Sequence, residues 1–86
     1  MTKSLIKEKS YFFALKIIGL YKTLSKQNEF VLSKQLLKSG TSIGANVEEA
    51  LAGQSRADFL SKMSIASKEA RETNYWLIVK VINKLT

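Results

Sequence analysis

Hydrophobic residues recur along this chain at helical spacing almost from end to end. The pattern divides at two short polar breaks, Gln27–Asn28 and Gly53–Ser55. The first segment predicts a helix over about residues 5–27. On a wheel of 3.6 residues per turn, Tyr11, Phe13, Ala14, Leu15, Ile17, Ile18, Leu20, Tyr21 and Leu24 cover more than half its circumference. Lys9, Lys16, Gly19, Thr23 and Lys26 make up the polar remainder. So wide an apolar arc predicts neighbours on two sides of this helix. Phe12 falls inside the lysine stripe, where a monomer has no use for it. Base stacking, a subunit contact and idle exposure are its three readings.

Asn28 is a favoured N-cap residue, and the second helix is expected over about 29–52. Its inner stripe is Leu32, Leu36, Leu37, Ile43, Val47, Ala50 and Leu51, with Gly40 and Gly44 inside it. Each glycine costs a helix interior about 1 kcal/mol relative to alanine. Close approach of another helix backbone would offset that cost; the alternative is a helix broken between Ser39 and Gly44. Gly53 is expected at the C′ position, with Ser55 capping a third helix over about 56–85 and Asp58 completing a capping-box-like pair. Short turns predict antiparallel neighbours.

The third helix carries the most regular pattern. Phe59, Met63, Ala66, Ala70, Thr73 and Leu77 alternate spacings of four and three, a bundle seam with small residues at its centre. Beyond Tyr75 the helix is apolar nearly all round, so Trp76, Ile78 and Ile82 are expected to meet another helix of this chain or a second copy.

Composition narrows the function. At 86 residues, the chain is expected to form one domain over residues 1–86. There is no cysteine and no histidine, which removes thiolate and imidazole metal ligands and the usual general base near neutral pH. Ser39-Gly40-Thr41-Ser42-Ile43-Gly44 lacks the Lys-Ser/Thr of a phosphate loop and follows no strand. Glu48, Glu49, Glu69 and Glu72 read as surface ion-pair partners of residues such as Lys68 and Arg71, not as a two-metal site. No catalytic residue, metal or cofactor is expected. No apolar run approaches the ~20 residues of a spanning helix, so the chain is read as cytoplasmic and soluble, with no membrane partner.

Charge is unevenly placed. Residues 1–45 hold eight lysines against two glutamates, a net of +6, whereas residues 46–86 hold six basic and five acidic residues, a net of +1. The basic half is expected to face a polyanion, RNA or DNA, through Lys3, Lys7, Lys9, Lys16, Lys22, Lys26, Lys34 and Lys38. Two alternatives stand beside it: a protein-interaction scaffold whose lysines serve solubility, and a membrane-surface helix, for which the apolar arc of helix one is too wide. Asn46 shares a polar strip with Gln35, Ser39 and Ser42 and is expected to make an interhelical hydrogen bond that fixes register.

The run Gln35-Leu36-Leu37-Lys38-Ser39-Gly40-Thr41-Ser42-Ile43-Gly44-Ala45-Asn46-Val47-Glu48-Glu49-Ala50 closely resembles the signature of bacterial four-helix-bundle proteins linked to 23S ribosomal RNA intervening sequences. The likeness continues through Asp58-Phe59, Lys62-Met63, Lys68-Glu69-Ala70, Glu72-Thr73 and Tyr75-Trp76-Leu77. That family is similar in turn to the accessory variability proteins of diversity-generating retroelements. The resemblance implies an all-α, antiparallel up-down bundle assembling as a homo-oligomer, a ring-like pentamer in the family. It implies a reverse transcriptase as a partner of the retroelement relatives, and no catalysis. It also implies packing roles for Gly40, Gly44, Ala66 and Ala70 and polar contacts for Asn46 and Glu49. Three helices are expected in this chain, one short of the family's four.

Overall fold

The computed structural model describes residues 2–85, and the side chains of residues 5–83. Among these residues there are three helices and no strand: α1 (Thr2–Lys26), α2 (Phe30–Ala52) and α3 (Arg56–Leu85). They form a rod of 46 × 18 × 18 Å. Its length is that of α3 alone, since 30 residues at a rise of about 1.5 Å span about 45 Å.

Local chemistry accounts for the turns. Asn28 does not cap α2; it takes φ 63° and ends α1. The Asn28 N–H donates to Ser25 O at 3.1 Å and the Glu29 N–H to Leu24 O at 2.9 Å, the paired bonds of a Schellman motif with asparagine at its left-handed position. Asparagine suits both a helix start and a left-handed stop, so residue type alone does not choose between them. The N-cap of α2 is Glu29, which makes no side-chain cap bond. The second turn also departs from expectation. Gly53 is extended, with φ −61° and ψ 147°, a conformation open to any residue. Space is what favours glycine there, because a Cβ would sit 3.2 Å from both Ala50 O and Asp58 Cβ. Ser55 caps α3 as expected, accepting the Asp58 N–H at 3.0 Å.

The central helix organises the rest. α2 packs against both α1 and α3, while α1 and α3 stay more than 8 Å apart at every described Cα. As α2 rises from Gly40 through Gly44 to Glu48, its partners on α1 fall from Ile17 through Ser10 to Lys7. Likewise Ser39 meets Thr73, and Glu49 meets Lys62. The wide apolar arc of α1 therefore has one helical neighbour and not two.

α2 is continuous through Ser39–Gly44, so the reading of a broken helix fails. Its two inner glycines serve different ends. A Cβ on Gly40 would lie 2.7 and 2.8 Å from the branched carbons of Ile17, whose side chain fills the space. At Gly44 the neighbour is backbone, with Ser10 O 3.3 Å from a built Cβ. Only Gly44 is thus a point of close backbone approach.

The core is narrow: Ile17, Leu24, Leu36, Val47, Ala50 and Ala66 are its buried apolar residues. Four hydroxyl residues, Ser10, Ser33, Ser39 and Thr73, are buried with them. Ser10, Ser33 and Ser39 each donate to a carbonyl one turn back in the same helix, at 2.9–3.1 Å, and Thr73 has Glu69 O at 2.8 Å as an alternative acceptor. Among the described residues no buried side-chain nitrogen or oxygen lacks a partner. Asn46 follows the same rule and corrects the register-fixing expectation: its Nδ2 donates to Ser42 O in its own helix at 2.9 Å. The interhelical polar bond is made instead by Thr73 and Ser39, at 2.9 Å.

Candidate nucleic-acid interface

Every lysine in the basic half whose side chain is described is exposed: Lys7, Lys9, Lys16, Lys22, Lys26, Lys34 and Lys38. The side chain of Lys3 lies outside the described residues. Periodicity sorts the seven into stripes. Lys9 and Lys16, seven residues apart, share one line on α1; Lys22 and Lys26, four apart, share another; Lys34 and Lys38, also four apart, stand on the solvent side of α2. Lys7 is engaged, with Nζ 3.7 Å from Glu48 Oε1 across the α1–α2 contact. A second interhelical ion pair, Lys62 to Glu49 at 3.6 Å, puts the expected polar contact of Glu49 at the surface. Exposed pairs of this kind contribute about 0–1 kcal/mol.

Acidic residues are concentrated away from the α1–α2 turn. Between residues 9 and 47 there are six lysines and one acid, Glu29. Glu29 is half-buried at the turn, in a pocket it shares with Lys80 and Asn83.

The expected contact residues do not form one patch. Phe12 is 52% exposed on α1, its ring edge-on to Tyr11 with centroids 5.6 Å apart. Ile78 and Ile82 are more than half exposed near the far end of α3. Trp76 is half-buried, stacked edge-on with Tyr75, and its Nε1 points to Glu72 Oε2 at 3.5 Å. Of the packing residues, Ala66 is buried while Ala70 is exposed. Ala70 lines an apolar groove of about 620 Å³ between α1 and α3, floored by Ile43 and Val47 and walled by Phe13, Met63 and Leu77. Ala70 falls on the seam read from periodicity, but the seam faces an open groove at that level, so the close packing expected of Ala70 is not made there.

Buried Ser10, Ser33 and Ser39 were not anticipated from the sequence. Their signal is positional: Ser33, Leu36, Ser39 and Gly40 fall at spacings of three, four and seven on the inner side of α2. Among the described residues no group of three His, Cys, Asp or Glu side chains could hold a metal ion. No described helix is long and apolar enough to cross a membrane.

The fold defines an all-helical protein with an exposed basic helix pair and an apolar groove. The family model of the 23S rRNA-intervening sequence protein matches residues 2–85, and the chain belongs to that family. It is also similar to a crystallised protein of unknown function from the S23 ribosomal protein family of Bacteroides thetaiotaomicron. The two share 53% identity with a TM-score of 0.95, over 100% of this chain and 78% of the other. No curated protein matches the chain.

Proposed function

We propose that this protein is a non-enzymatic, basic, antiparallel helical bundle that assembles with copies of itself and binds RNA or DNA through its lysine-rich half. The observation that carries the reading is the imbalance on α1 and α2: six lysines and a single acid between residues 9 and 47, with all six lysines exposed. Such a surface attracts phosphate without reading sequence, and its affinity falls steeply with salt. Cytoplasmic residence accords with this role.

Self-assembly is supported by exposed surface. A compact monomer of 9.7 kDa exposes about 5,100 Å² by the usual mass scaling. This chain exposes 6242 Å², including Tyr75, Ile78, Val81 and Ile82 on α3. The α1–α3 groove is the place for the fourth helix that the family resemblance implies. The same groove favours a second reading, a protein-interaction scaffold, for which the likeness to retroelement accessory proteins nominates a reverse transcriptase.

A fluorescence-anisotropy titration against structured RNA and duplex DNA at 50 and 200 mM salt separates the two. Binding that weakens steeply with salt is the expected result. No binding at 50 mM salt would overturn the nucleic-acid reading and leave the scaffold.

A further inference from the structure

We infer that the phosphate-binding surface is one defined patch, Lys22, Lys34 and Lys38 with Lys26 at its edge, and that its ligand is the phosphodiester backbone. The inference rests on the nucleic-acid reading above and narrows it from eight lysines to a site.

Angular position brings these side chains to one face. Tyr11 and Ala14 of α1 and Thr41 and Ala45 of α2 line a single notch on the outer side of the α1–α2 hairpin. Each residue turns a helix by about 100°. Lys22, eleven residues after Tyr11, returns to nearly the same direction. Lys34 and Lys38, each seven residues before Thr41 and Ala45, do the same on α2. All three look out on the side of the hairpin that carries the notch.

Axial position brings them level. Ser10 lies against Gly44 and Ile17 against Gly40, so partner numbers add to between 54 and 57. Carried toward the turn, that register sets Lys22 opposite Lys34. Packed helix axes lie about 8–10 Å apart. Lys34 and Lys38 are one turn apart, about 6 Å along the axis. A strand carries one charge per ~3.4 Å of duplex axis. Because the backbone winds around that axis, its consecutive phosphates stand farther apart than this rise, so two ammonium groups about 6 Å apart match neighbouring phosphates of one strand.

The remaining lysines are set apart by the same geometry. Lys7 is paired with Glu48 in the notch. Lys9 lines the groove on the other side of α1, and Lys16 shares its stripe. Glu48 is the acid lining the notch, and Lys7 neutralises it; Glu29 lies in the pocket with Lys80 at the turn. Among the described residues, Lys22, Lys34 and Lys38 take part in no ion pair, the two interhelical pairs being Lys7 with Glu48 and Lys62 with Glu49.

The test compares two charge-matched triple variants. One is Lys22→Gln/Lys34→Gln/Lys38→Gln; the control is Lys9→Gln/Lys16→Gln/Lys68→Gln, all exposed positions. Binding of a 20-nucleotide single-stranded RNA and a 20-base-pair DNA duplex is followed by anisotropy between 50 and 200 mM salt. The patch variant is expected to lower the log–log salt slope by roughly 2–3 on duplex and about 2 on single strand, at ~0.9 and ~0.7 for each phosphate no longer neutralised. The control is expected to change the duplex slope by less than about 0.9, the equivalent of a single phosphate. The nucleic acid on which the slope falls by the full amount is the one the patch engages. Single Lys→Gln variants, each expected to lower the duplex slope by about 0.9, give the same reading should the triple variant lose helicity by circular dichroism. Equal falls in the two triples would overturn the patch and leave a diffuse charge effect. Patch-dependent binding to phosphatidylserine vesicles, with nucleic-acid binding unaltered by the patch variant, would also overturn it. A wild-type protein that binds neither nucleic acid defeats the broader reading first, an outcome distinct from loss of the patch alone.

Discussion

Thr73 donates its hydroxyl to Ser39 Oγ at 2.9 Å, joining α3 to α2 where both residues are buried. The Ser39 proton is directed to Gln35 O at 2.9 Å, and Glu69 O stands 2.8 Å from Thr73 Oγ1 as a second acceptor. Removing either hydroxyl therefore leaves the other with a partner. A buried hydrogen bond of this kind contributes about 0.5–1.5 kcal/mol. Thr73→Val and Ser39→Ala are each expected to destabilise by about 1 kcal/mol, and their double-mutant cycle to show coupling of about 0.5–1.5 kcal/mol in urea denaturation. Strict additivity of the two would show that the contact contributes nothing to the pairing of α2 with α3.

The glycines of α1 and α2 predict opposite signs for one substitution. A Cβ at Gly40 would lie under 3 Å from two carbons of Ile17, whereas a Cβ at Gly19 meets nothing within 4 Å. Gly19→Ala is expected to stabilise by up to about 1 kcal/mol through helix propensity alone. Gly40→Ala gains the same propensity but overpacks a buried contact, at about 1–3 kcal/mol. Its net effect is expected to be destabilising. Thermal melts of the two variants and of Gly40→Ala/Ile17→Ala decide the cause. If Ile17 is the obstacle, the double variant is more stable than the sum of the singles predicts; additive effects would place the strain elsewhere.

At Asn28 the two structural readings of one residue part company. An N-cap accepts threonine nearly as well as asparagine, while a left-handed position penalises a β-branched residue. With φ at 63°, Asn28→Thr is expected to cost about 1–2 kcal/mol and Asn28→Gly to be neutral or stabilising. A neutral threonine variant in chemical denaturation would restore the N-cap assignment.

These contrasts mark where the sequence is legible. Helix extent follows from periodicity, so α2 and α3 lie within a residue or so of the spans expected, and the Ser55 cap was readable because its side chain acts locally. Asn28, Gly53 and Asn46 were not, since each residue type serves two geometries and the choice lies in neighbours that a linear pattern does not display. The two glycines of α2 look alike in sequence. One faces a side chain and the other a backbone because Ile17 and Ser10 happen to fall opposite them. The exposed lysines were legible as charge, but their division into separate faces required the pairing register of α1 on α2. The groove was legible only indirectly, as an apolar arc on α1 and a seam on α3 wider than α2 alone could cover.

The apolar end of α3 gives the most direct check on assembly. Ile78 and Ile82 are 53% and 55% exposed and sit one turn apart, so they present one continuous surface. Replacing exposed residues changes the stability of a lone chain by no more than about 0.5 kcal/mol. The same replacement in a buried subunit interface strands a charge without a partner, which costs several-fold more. Ile78→Lys/Ile82→Lys is therefore expected to lower the mass measured by sedimentation while leaving helicity unchanged. Because the change adds two positive charges to a chain of net +7, a repeat at 300 mM salt separates charge repulsion from reduced burial. Dissociation that persists in salt places the interface on this face. An unchanged mass in both conditions moves the self-association surface elsewhere, and Phe12 on α1 becomes the next position to substitute.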